Sequence, residues 1–391
     1  MRGRSHLKDA LLMDSEPSTS APNALLARTG KALIAASENE GCMPILLRWL
    51  RRLTFWSILL YVIGLVGMVL ALSWAGERNV TTAFLLFLPP SLWWLPALPL
   101  ALAALLLHRR AFLLLLLVLL WFGYDFLGWR RHAAPAPETA ALKVMTYNRG
   151  QHMNQSLKPF KEATRPDVIL FQEAYGRAAG YAADPDYGEF IQTRSLGEHT
   201  ILSRYPVLEE KMLPALPGQS PKAVRFVIDW NGRQVAIYSV HLQTPREVLG
   251  YQVRGGFLYG ILGLPGTPWA AKRKQMQTFW DGQIADAEIV LKAVREDPLP
   301  VIVAGDFNSP HVGYVHRLIT RDLGDSHDSA GQGFGWSFPG STHNPLSMGG
   351  PWLRIDYVFF SRHWEAVQCI TEADRPSQHR ALTSTLVLRN P

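Results

Sequence analysis

The chain has 391 residues, 48% of them hydrophobic, and a formal net charge of +7. Residues 1–139 contain 13 of the 39 Lys and Arg and 8 of the 32 Asp and Glu, so +5 of the charge lies there and +2 in residues 140–391. The high pI is therefore poor evidence for a nucleic-acid-binding surface on the C-terminal part. With two cysteines, no disulfide framework is implied.

The N-terminal segment is rich in Ala, Ser and charged residues and lacks apolar periodicity. Residues 1–47 are therefore predicted to be a disordered tail. Met43 stands just before a basic cluster and the first apolar run, which suggests that translation could begin there.

Three long apolar runs follow the tail, at residues 53–75, 82–107 and 111–129. Runs of this length predict membrane-spanning helices, so residues 48–132 are expected to form a membrane region with about three of them. The middle run contains Pro89, Pro90 and Pro96. A re-entrant middle segment with two spans is therefore the alternative.

The arginines beside these runs indicate the topology. Five arginines flank the presumed cytoplasmic ends of the runs, namely Arg48, Arg51, Arg52, Arg109 and Arg110. Three flank the opposite ends, namely Arg78, Arg130 and Arg131. This bias favours a multi-pass membrane protein whose C-terminal domain is extracytoplasmic. Cys42 and Cys369 would then lie on opposite sides and could not pair.

The composition changes after the apolar runs. Residues 133–142 contain an Ala-Pro pattern that predicts a linker, and residues 143–391 are expected to form one domain. Strands are predicted at residues 144–147, 168–171, 224–230, 235–240, 300–304, 355–360 and 381–388, and helices at 156–164 and 269–295. Asn231-Gly232 predicts a hairpin turn. This mixture predicts an α+β fold in which packed sheets are covered by helices.

Several predicted strands end in polar residues that are used in catalysis. These residues are Asn148, Glu173, His241, Asp306 and Asn308. Taken singly, each could be a cap or a turn former. Asp356 differs, because it lies inside an otherwise apolar strand, where an unpaired charge is expensive and needs a partner.

Strand ends carrying Asn, Glu, His and Asp-x-Asn are what a hydrolase with a hard cation needs. Mg²⁺ prefers oxygen ligands and is usually held by one or two protein acids together with substrate phosphate. Zinc is the weaker interpretation, because the sequence has no HExxH motif and no cysteine pair. A serine hydrolase is weaker still, because no GxSxG motif occurs.

Seven motifs follow one another in residues 143–388: VMTYN, VILFQEA, TILSRYPV, YSVHL, VIVAGDFNSP, RIDYVFFS and SQHRAL. Their order and rough spacing resemble the endonuclease/exonuclease/phosphatase family, which includes DNase I, abasic-site endonucleases, neutral sphingomyelinases and inositol polyphosphate 5-phosphatases. No single motif would suffice. The seven in order identify the chain as a member of this family, and with the apolar runs before them it resembles a membrane-anchored, bacterial-type member.

The resemblance implies a four-layered, DNase I-like α/β/β/α sandwich with its site at one end of the two sheets. It implies that Glu173 is the main Mg²⁺ ligand, with Asn148 beside it holding metal or phosphate, and that Mn²⁺ can substitute. Arg354 and Arg380 are expected to bind the substrate phosphate.

The resemblance also implies the catalytic roles. Asp306 would orient or deprotonate the attacking water, and Asn308 would steady the phosphate and the Asp306 side chain. His241 would donate to a phosphate oxygen. His379 would contact the scissile phosphate, and Asp356 would hold its imidazole in one tautomer and raise its pKa. This gives Asp356 the partner that it requires.

One position departs from the family pattern. The family usually has Ser-Asp-His where this chain has Ser377-Gln378-His379. Gln378 can form hydrogen bonds but carries no charge. We hypothesise that catalysis depends on one metal near Glu173, with weaker cation affinity than in members that have the Asp.

The substrate is less well determined, because this fold serves nucleases, lipid phosphodiesterases and phosphatases. Residues 248–269 are apolar, glycine-rich and aromatic. They form either a covering loop or a surface that contacts the bilayer and gives the site access to lipid head groups.

Three functions remain open. A membrane-anchored phosphoesterase acting on a lipid or small phosphate ester, with the lipid bilayer as partner, is favoured. An anchored nuclease is the second. A local basic rim could bind the nucleic acid, formed by Arg246, Arg254, Lys272, Arg273 and Lys274. A catalytically weak binding or signalling module is the third, against which the other motif positions argue. No protein partner can be inferred.

Overall fold

A computed structural model of the chain describes residues 42–132, 140–150, 156–250, 261–340, 345–373, 375 and 377–389. Most of the predicted tail, most of the predicted linker and the centre of the 248–269 stretch lie outside these residues. The last residues of the predicted tail are helical, because the first helix begins at Cys42. The first strand of the sheets begins at Ala141, within the predicted linker.

The N-terminal part is helical. Its helices are α1 (Cys42–Trp74), α2 (Val80–Leu86), α3 (Ser91–Trp94), α4 (Ala97–Leu107) and α5 (Arg109–Asp125), with a 3-10 turn at Gly76–Arg78. Ile58 of α1 is buried against Ala104 of α4 and Ala111 and Leu115 of α5. The outward side chains are apolar and exposed, as at Leu60, so this bundle presents an apolar surface.

Within the described residues, α1 is the one helix long and apolar enough to cross a membrane by itself. The middle run is bent by 92° between Val80–Leu86 and Ser91–Leu107, at the two adjacent prolines, and is either a broken span or a re-entrant segment. Helix α5 has 17 residues. The described helices thus support one span, or two if the bent pair is one, and do not support the expected three.

The C-terminal part contains two six-stranded mixed sheets. Its strands are β2 (Ala141–Asn148), β3 (Val168–Gln172), β4 (Gln192–Leu196), β5 (His199–Ser203), β6 (Val207–Met212), β7 (Ala223–Trp230), β8 (Arg233–His241), β9 (Val301–Asp306), β10 (Gly324–Asp325), β12 (Asp356–Phe360), β13 (Trp364–Thr371) and β14 (Leu382–Leu388); β1 (Arg130–Arg131) and β11 (Gln332–Gly333) form a separate ribbon. The order is β13-β14-β2-β3-β5-β4 in the first sheet and β10-β12-β9-β8-β7-β6 in the second.

The C-terminal part also contains six helices among the described residues. They are α6 (Lys158–Thr164), α7 (Ala178–Ala183), α8 (Arg246–Gly250), α9 (Ala270–Glu296), α10 (Tyr314–Ile319) and α11 (Ser326–Ala330), with 3-10 turns at Pro185–Tyr187 and Pro345–Ser347. The main core lies between the sheets, where Val144 and Leu170 meet Phe226 and Ile237. A second core joins the second sheet to α9, and a third joins the first sheet to α6. This is the predicted four-layered α/β/β/α sandwich.

The predicted elements agree with this architecture. Each of the seven predicted strands overlaps an observed strand, and both predicted helices are present as α6 and α9. Asn231 and Gly232 form a two-residue turn, both with positive φ, between Trp230 and its partner Arg233. Strands β4, β5, β6, β10 and β13 and the short ribbon of β1 and β11 were not predicted.

Each sheet has one parallel pair at its centre, and these pairs position the site. Strands β2 and β3 run parallel, with Asn148 opposite Gln172 at their carboxyl ends. Strands β8 and β9 also run parallel, with His241 opposite Asp306. Antiparallel β12 begins with Asp356 opposite the same Asp306. The polar strand ends therefore meet at one edge of the sandwich.

The N-terminal helices are joined to the sandwich by a buried carboxylate. Glu77, in the turn between α1 and α2, is 0% exposed. It accepts hydrogen bonds from Ser309 Oγ and from the backbone N–H groups of Tyr314 (2.6 Å) and Val315 (3.3 Å) at the start of α10. Ser309 directly follows Asn308, so this joint lies beside the predicted site.

Candidate active site

The strand ends surround a cavity of about 270 Å³. Its polar wall consists of side chains that the sequence predicted, namely Asn148, Glu173, His241, Asp306, Asn308 and His379. The lining also has an apolar part, the apolar wall, which includes Phe87, Leu249 and Phe338. The site therefore combines convergent polar groups with an apolar surface, as ligand pockets commonly do.

Glu173 and Asn148 lie side by side at the ends of the two parallel strands of the first sheet. The Asn148 amide donates to Glu173 Oε1 at 3.2 Å and to Asp306 Oδ2 at 2.9 Å. Its oxygen accepts the backbone N–H of Gly150 at 2.9 Å. Asn148 thus holds two carboxylates in place. Glu173 has a φ of 54°, a backbone region that is unfavourable for Glu and that recurs at functional sites.

Asp306 is the centre of the hydrogen-bond network. Its Oδ1 accepts the backbone N–H of Asn308 at 2.8 Å, and its Oδ2 accepts the Asn308 amide at 3.2 Å. The preceding Gly305 is required by space, because a Cβ there would lie 1.9 Å from the Val240 carbonyl oxygen. Burial and the charge of Asp356 raise the pKa of Asp306, although His379 opposes the shift.

His241 lies between carboxylates. Its Nδ1 is 3.0 Å from Glu198 Oε2, and its Nε2 is 3.7 Å from Asp306 Oδ2 and 4.0 Å from Glu173 Oε1. Burial disfavours the imidazolium, but these carboxylates, Glu198 first, outweigh burial and raise the pKa of His241. The ring is therefore suited to donating a proton towards an anion in the cavity.

His379 and Asp356 form the predicted pair. His379 Nδ1 is 2.9 Å from Asp356 Oδ2, and its Nε2 is 3.6 Å from Asp306 Oδ2. The ring packs against Phe338 with a centroid distance of 4.9 Å. Burial lowers the pKa of His379, but the charges of Asp356 and Asp306 outweigh it and raise the pKa to about 9. His379 is therefore cationic at neutral pH.

The donor set fits a divalent cation. Carboxylate oxygens of Asp306 and Asp356 lie within 4.8 Å of each other, beside the cationic His379, and the Glu173 carboxylate borders the same cavity. Asp356 Oδ1 is buried and has no hydrogen-bond partner in the part of the chain that the structure describes. Carboxylate oxygens are the ligands that Mg²⁺ and similar hard cations require.

The structure does not bring Arg354 or Arg380 into this cluster. Arg354 is buried, and its guanidinium donates to Asp325 Oδ2 at 2.6 Å and Asp328 Oδ1 at 3.1 Å. Asp325 and Asp328 belong, with His316, to a second group of side chains that could hold a metal, and the Arg354 cation already pairs with both acids. Arg380 donates to the Gly340 carbonyl at 3.2 Å. Both side chains serve local structure, so their geometry does not support the expected phosphate contacts.

Two contributors to the site, Glu198 and Phe87, were missed from the sequence, and Arg246 was expected only as part of a basic rim. Glu198 lies in the two-residue turn between β4 and β5, which the adjacent Gly197 could have indicated. Arg246 lines the cavity and donates to Gln378 Oε1 at 3.1 Å. Phe87 comes from the N-terminal helices, and no signal in the sequence linked it to catalysis.

The sandwich and the convergent acids and histidines define a hydrolase of phosphate esters. The model of the endonuclease/exonuclease/phosphatase family matches residues 150–379, more than half of the chain. The chain belongs to this family, as the seven motifs predicted. Its members are in general dependent on divalent metals.

Several solved structures are similar. A family member from Bacteroides thetaiotaomicron is 15% identical and covers 64% of this chain and 99% of its own, with a TM-score of 0.45. A mannosyl-6-phosphatase from the same species is 15% identical and covers 63% and 100%, with a TM-score of 0.42. D. rerio TDP2 with a single-strand DNA product is 13% identical and covers 64% and 100%, with a TM-score of 0.45. None of them indicates the substrate of this chain. The search of curated proteins gave no match.

Proposed function

We propose that the chain is a membrane-anchored, Mg²⁺-dependent phosphoesterase that hydrolyses a lipid or another small phosphate ester by water attack at phosphorus. The observation that carries this proposal is the meeting of Glu173, Asp306, His241 and His379 on one wall of one cavity. Glu173 would hold the cation, and Asn148 would fix Glu173 and Asp306. When bound, the cation would screen the phosphate charge.

The protein groups divide the proton transfers between them. Asp306 Oδ2 is placed to accept a proton from the attacking water, and its raised pKa makes it a stronger base than an ordinary Asp. Asn308 keeps that carboxylate oriented through two hydrogen bonds. His379 Nε2–H and His241 Nε2–H would stabilise the charge that develops on the phosphate oxygens. Asp356 fixes the proton on His379 Nδ1, which leaves the Nε2–H directed away from it.

The apolar wall supports a lipid or small ester over nucleic acid. Of the five basic residues expected to form a rim, Arg246 lines the cavity. Lys272 donates to Gln275 of the same helix, and Arg273 donates to the Ile261 carbonyl. Arg254 lies outside the described residues. A nucleic-acid groove needs several cations along a track, and the described part of the chain offers one at the cavity.

Membrane attachment is proposed through α1, which is long and apolar enough to span the bilayer. The arginines before its apolar centre, Arg48, Arg51 and Arg52, would remain in the cytoplasm and place the sandwich outside. A reporter enzyme fused after residue 391 tests this orientation. Reporter activity confined to the cytoplasm would contradict it.

The full chain in detergent should hydrolyse a generic aryl phosphodiester with Mg²⁺, and Mn²⁺ should substitute. EDTA should abolish the reaction, and Glu173→Gln and His379→Gln should each reduce it by ~10²-fold or more. Plasmid DNA, sphingomyelin and phosphoinositides form the substrate panel.

Two outcomes would contradict the proposal. Equal activity of the wild type and Glu173→Gln on every substrate would exclude this site as the catalyst. A preference for DNA over all lipids would replace the lipid phosphoesterase with the anchored nuclease.

A further inference from the structure

The apolar wall of the active-site cavity is partly built by the N-terminal helices. Phe87, the C-cap residue of α2, lines the same cavity as the catalytic side chains. Leu249 of α8 also lines the cavity and packs against the same hydrophobic cluster as Phe87. A residue from the predicted membrane region therefore borders the reaction centre.

Phe87 is held firmly in this position. Its ring stacks on Trp280 of α9 with a centroid distance of 5.8 Å and an interplanar angle of 28°. Its carbonyl accepts a hydrogen bond from Trp352 Nε1 at 3.1 Å. Val80 and Ala83 of α2 are buried in the same cluster as Trp280. The wall is thus part of a packed interface.

The position of this wall relative to the membrane helices is also fixed. Glu77 ties the turn before α2 to Ser309 and to the start of α10. The chain then bends by 92° between α2 and the α3–α4 segment, so Phe87 lies at the bend. Helix α4, which follows the bend, carries exposed apolar side chains such as Leu98 and Leu106.

We propose that Phe87 and Leu249 form a subsite for an apolar chain attached next to the scissile phosphate, so that the substrate is an amphiphilic phosphate ester drawn from the bilayer. This inference rests on the proposed phosphoesterase function. A volume of about 270 Å³ is below the roughly 300–1,000 Å³ of pockets that bury drug-sized ligands. The phosphate and the first carbons fit inside, and the rest of the chain lies along the apolar helices.

The test uses p-nitrophenyl phosphodiesters whose second ester group is methyl, butyl or octyl, with the full chain in one detergent. For the wild type, kcat/KM should rise by ~4-fold per methylene over the first few carbons. Phe87→Ala should flatten this series, whereas Phe87→Leu should retain most of the slope. Phe279→Ala is the matched control, because Phe279 also contacts Trp280 but does not line the cavity.

An unchanged slope in Phe87→Ala would overturn the subsite even if every ester is hydrolysed. If the wild type hydrolyses none of them, the proposed function fails, and calorimetry with butyl- and octylphosphonate then tests the subsite separately. Tighter binding of the octyl compound that is lost in Phe87→Ala supports the subsite, and equal binding of both compounds overturns it.

A second arm tests the bilayer as the source. A long-chain p-nitrophenyl phosphodiester in phosphatidylcholine vesicles should be hydrolysed faster per accessible phosphate than the butyl ester dispersed in water. Faster hydrolysis of the dispersed ester would overturn the bilayer as the source.

Discussion

His379 Nδ1 lies 2.9 Å from Asp356 Oδ2. Asp356 belongs to the second sheet, whereas His379 lies in the segment that leads into the first sheet. The contact pairs the acid that begins the buried β12 with a histidine three residues before β14. It accounts for both the cost of burying Asp356 and the raised pKa of His379.

Asp356→Asn should therefore impair catalysis and change the titration of His379. An amide removes the negative charge, so the pKa of His379 should fall from about 9 towards the ordinary ~6.5. We expect kcat to fall ~10²–10⁴-fold at neutral pH. NMR titration of the metal-free protein and kcat on an aryl phosphodiester measure the two effects. An unaltered His379 pKa in the folded variant would contradict the pairing.

Glu173→Gln should weaken cation binding, because it removes a carboxylate beside the cavity while keeping its shape. The affinity for Mn²⁺, measured by electron paramagnetic resonance, should fall by more than ~10-fold, since loss of an outer-shell partner alone costs about 10–100-fold. Glu210→Gln, on the exposed strand β6, is the matched control. Equal Mn²⁺ affinity in both variants would place the metal elsewhere.

Gln378→Glu should affect substrate binding, because the carboxylate would form an ion pair with Arg246, which the neutral Gln378 contacts at 3.1 Å. An exposed ion pair contributes ~0.2–1 kcal/mol. We expect KM for an anionic substrate to rise by a factor of up to about five, with kcat unchanged. Arg246→Gln should raise KM in the same direction, and a KM unaffected by either change would exclude Arg246 from substrate binding.

Gln378→Asp tests the metal hypothesis at the same position. If Gln378 weakens cation binding, this variant should require less Mg²⁺ for half-maximal activity, while Gln378→Asn, which is neutral and of the same length as Asp, should not. Equal Mg²⁺ requirements for the Asp and Asn variants would leave Gln378 with no role at the metal.

Asp286→Asn should stabilise the fold in a defined range of pH. Asp286 is 2% exposed, and its Oδ2 has no hydrogen-bond partner among the described residues. Burial raises its pKa from 3.8 to about 6, against the influence of Lys222. Because the folded state prefers the protonated acid, ionised Asp286 lowers the free energy of unfolding. This loss of stability begins above pH ~4 and is complete above pH ~6.

The gain in Tm of Asp286→Asn over the wild type should therefore be larger at pH 7.5 than at pH 4.5. Asp281→Asn is the control, because Asp281 lies exposed on the same helix and accepts from Gln277 at 2.9 Å. A gain that is equal at both pH values would contradict an ionised, buried Asp286.

The strand-end residues could be predicted because each follows an apolar run, and the family resemblance implied their roles. The structure brings Asn148, Glu173, His241 and Asp306 together because each parallel pair has its carboxyl ends at one edge of its sheet. Asp356 could be assigned a partner because an unpaired buried charge is too costly. In these cases the local sequence carries the information.

The arginines could not be placed in the same way. Arg354 stands just before the strand of Asp356, but its partners Asp325 and Asp328 are brought to it by the packing of α11 beside β12. A buried guanidinium must lie beside carboxylates that pair with it, and no local sequence pattern shows which carboxylates those are. Glu198 was missed for a related reason, since only pairing within the first sheet and packing of the second sheet bring it to His241.

The described helices support one span, or two if the bent pair is one, and not the three that apolar composition predicted, because composition does not report on the path of the chain. The prolines in the middle run were recognised as a potential break, and the structure has a 92° bend there. The bend turns Phe87 towards the sandwich, so part of an apolar run serves the site.

The joint at Glu77 determines what must be purified to study this enzyme. A protein cut to residues 143–391 would lack Glu77 and Phe87, so the first amide groups of α10 would lose their acceptor and Trp280 would lose its stacked neighbour. Its cavity would have a missing wall. Kinetics of the excised sandwich would thus describe an altered pocket, and the smallest faithful catalytic unit includes the apolar helices that its composition would lead one to remove.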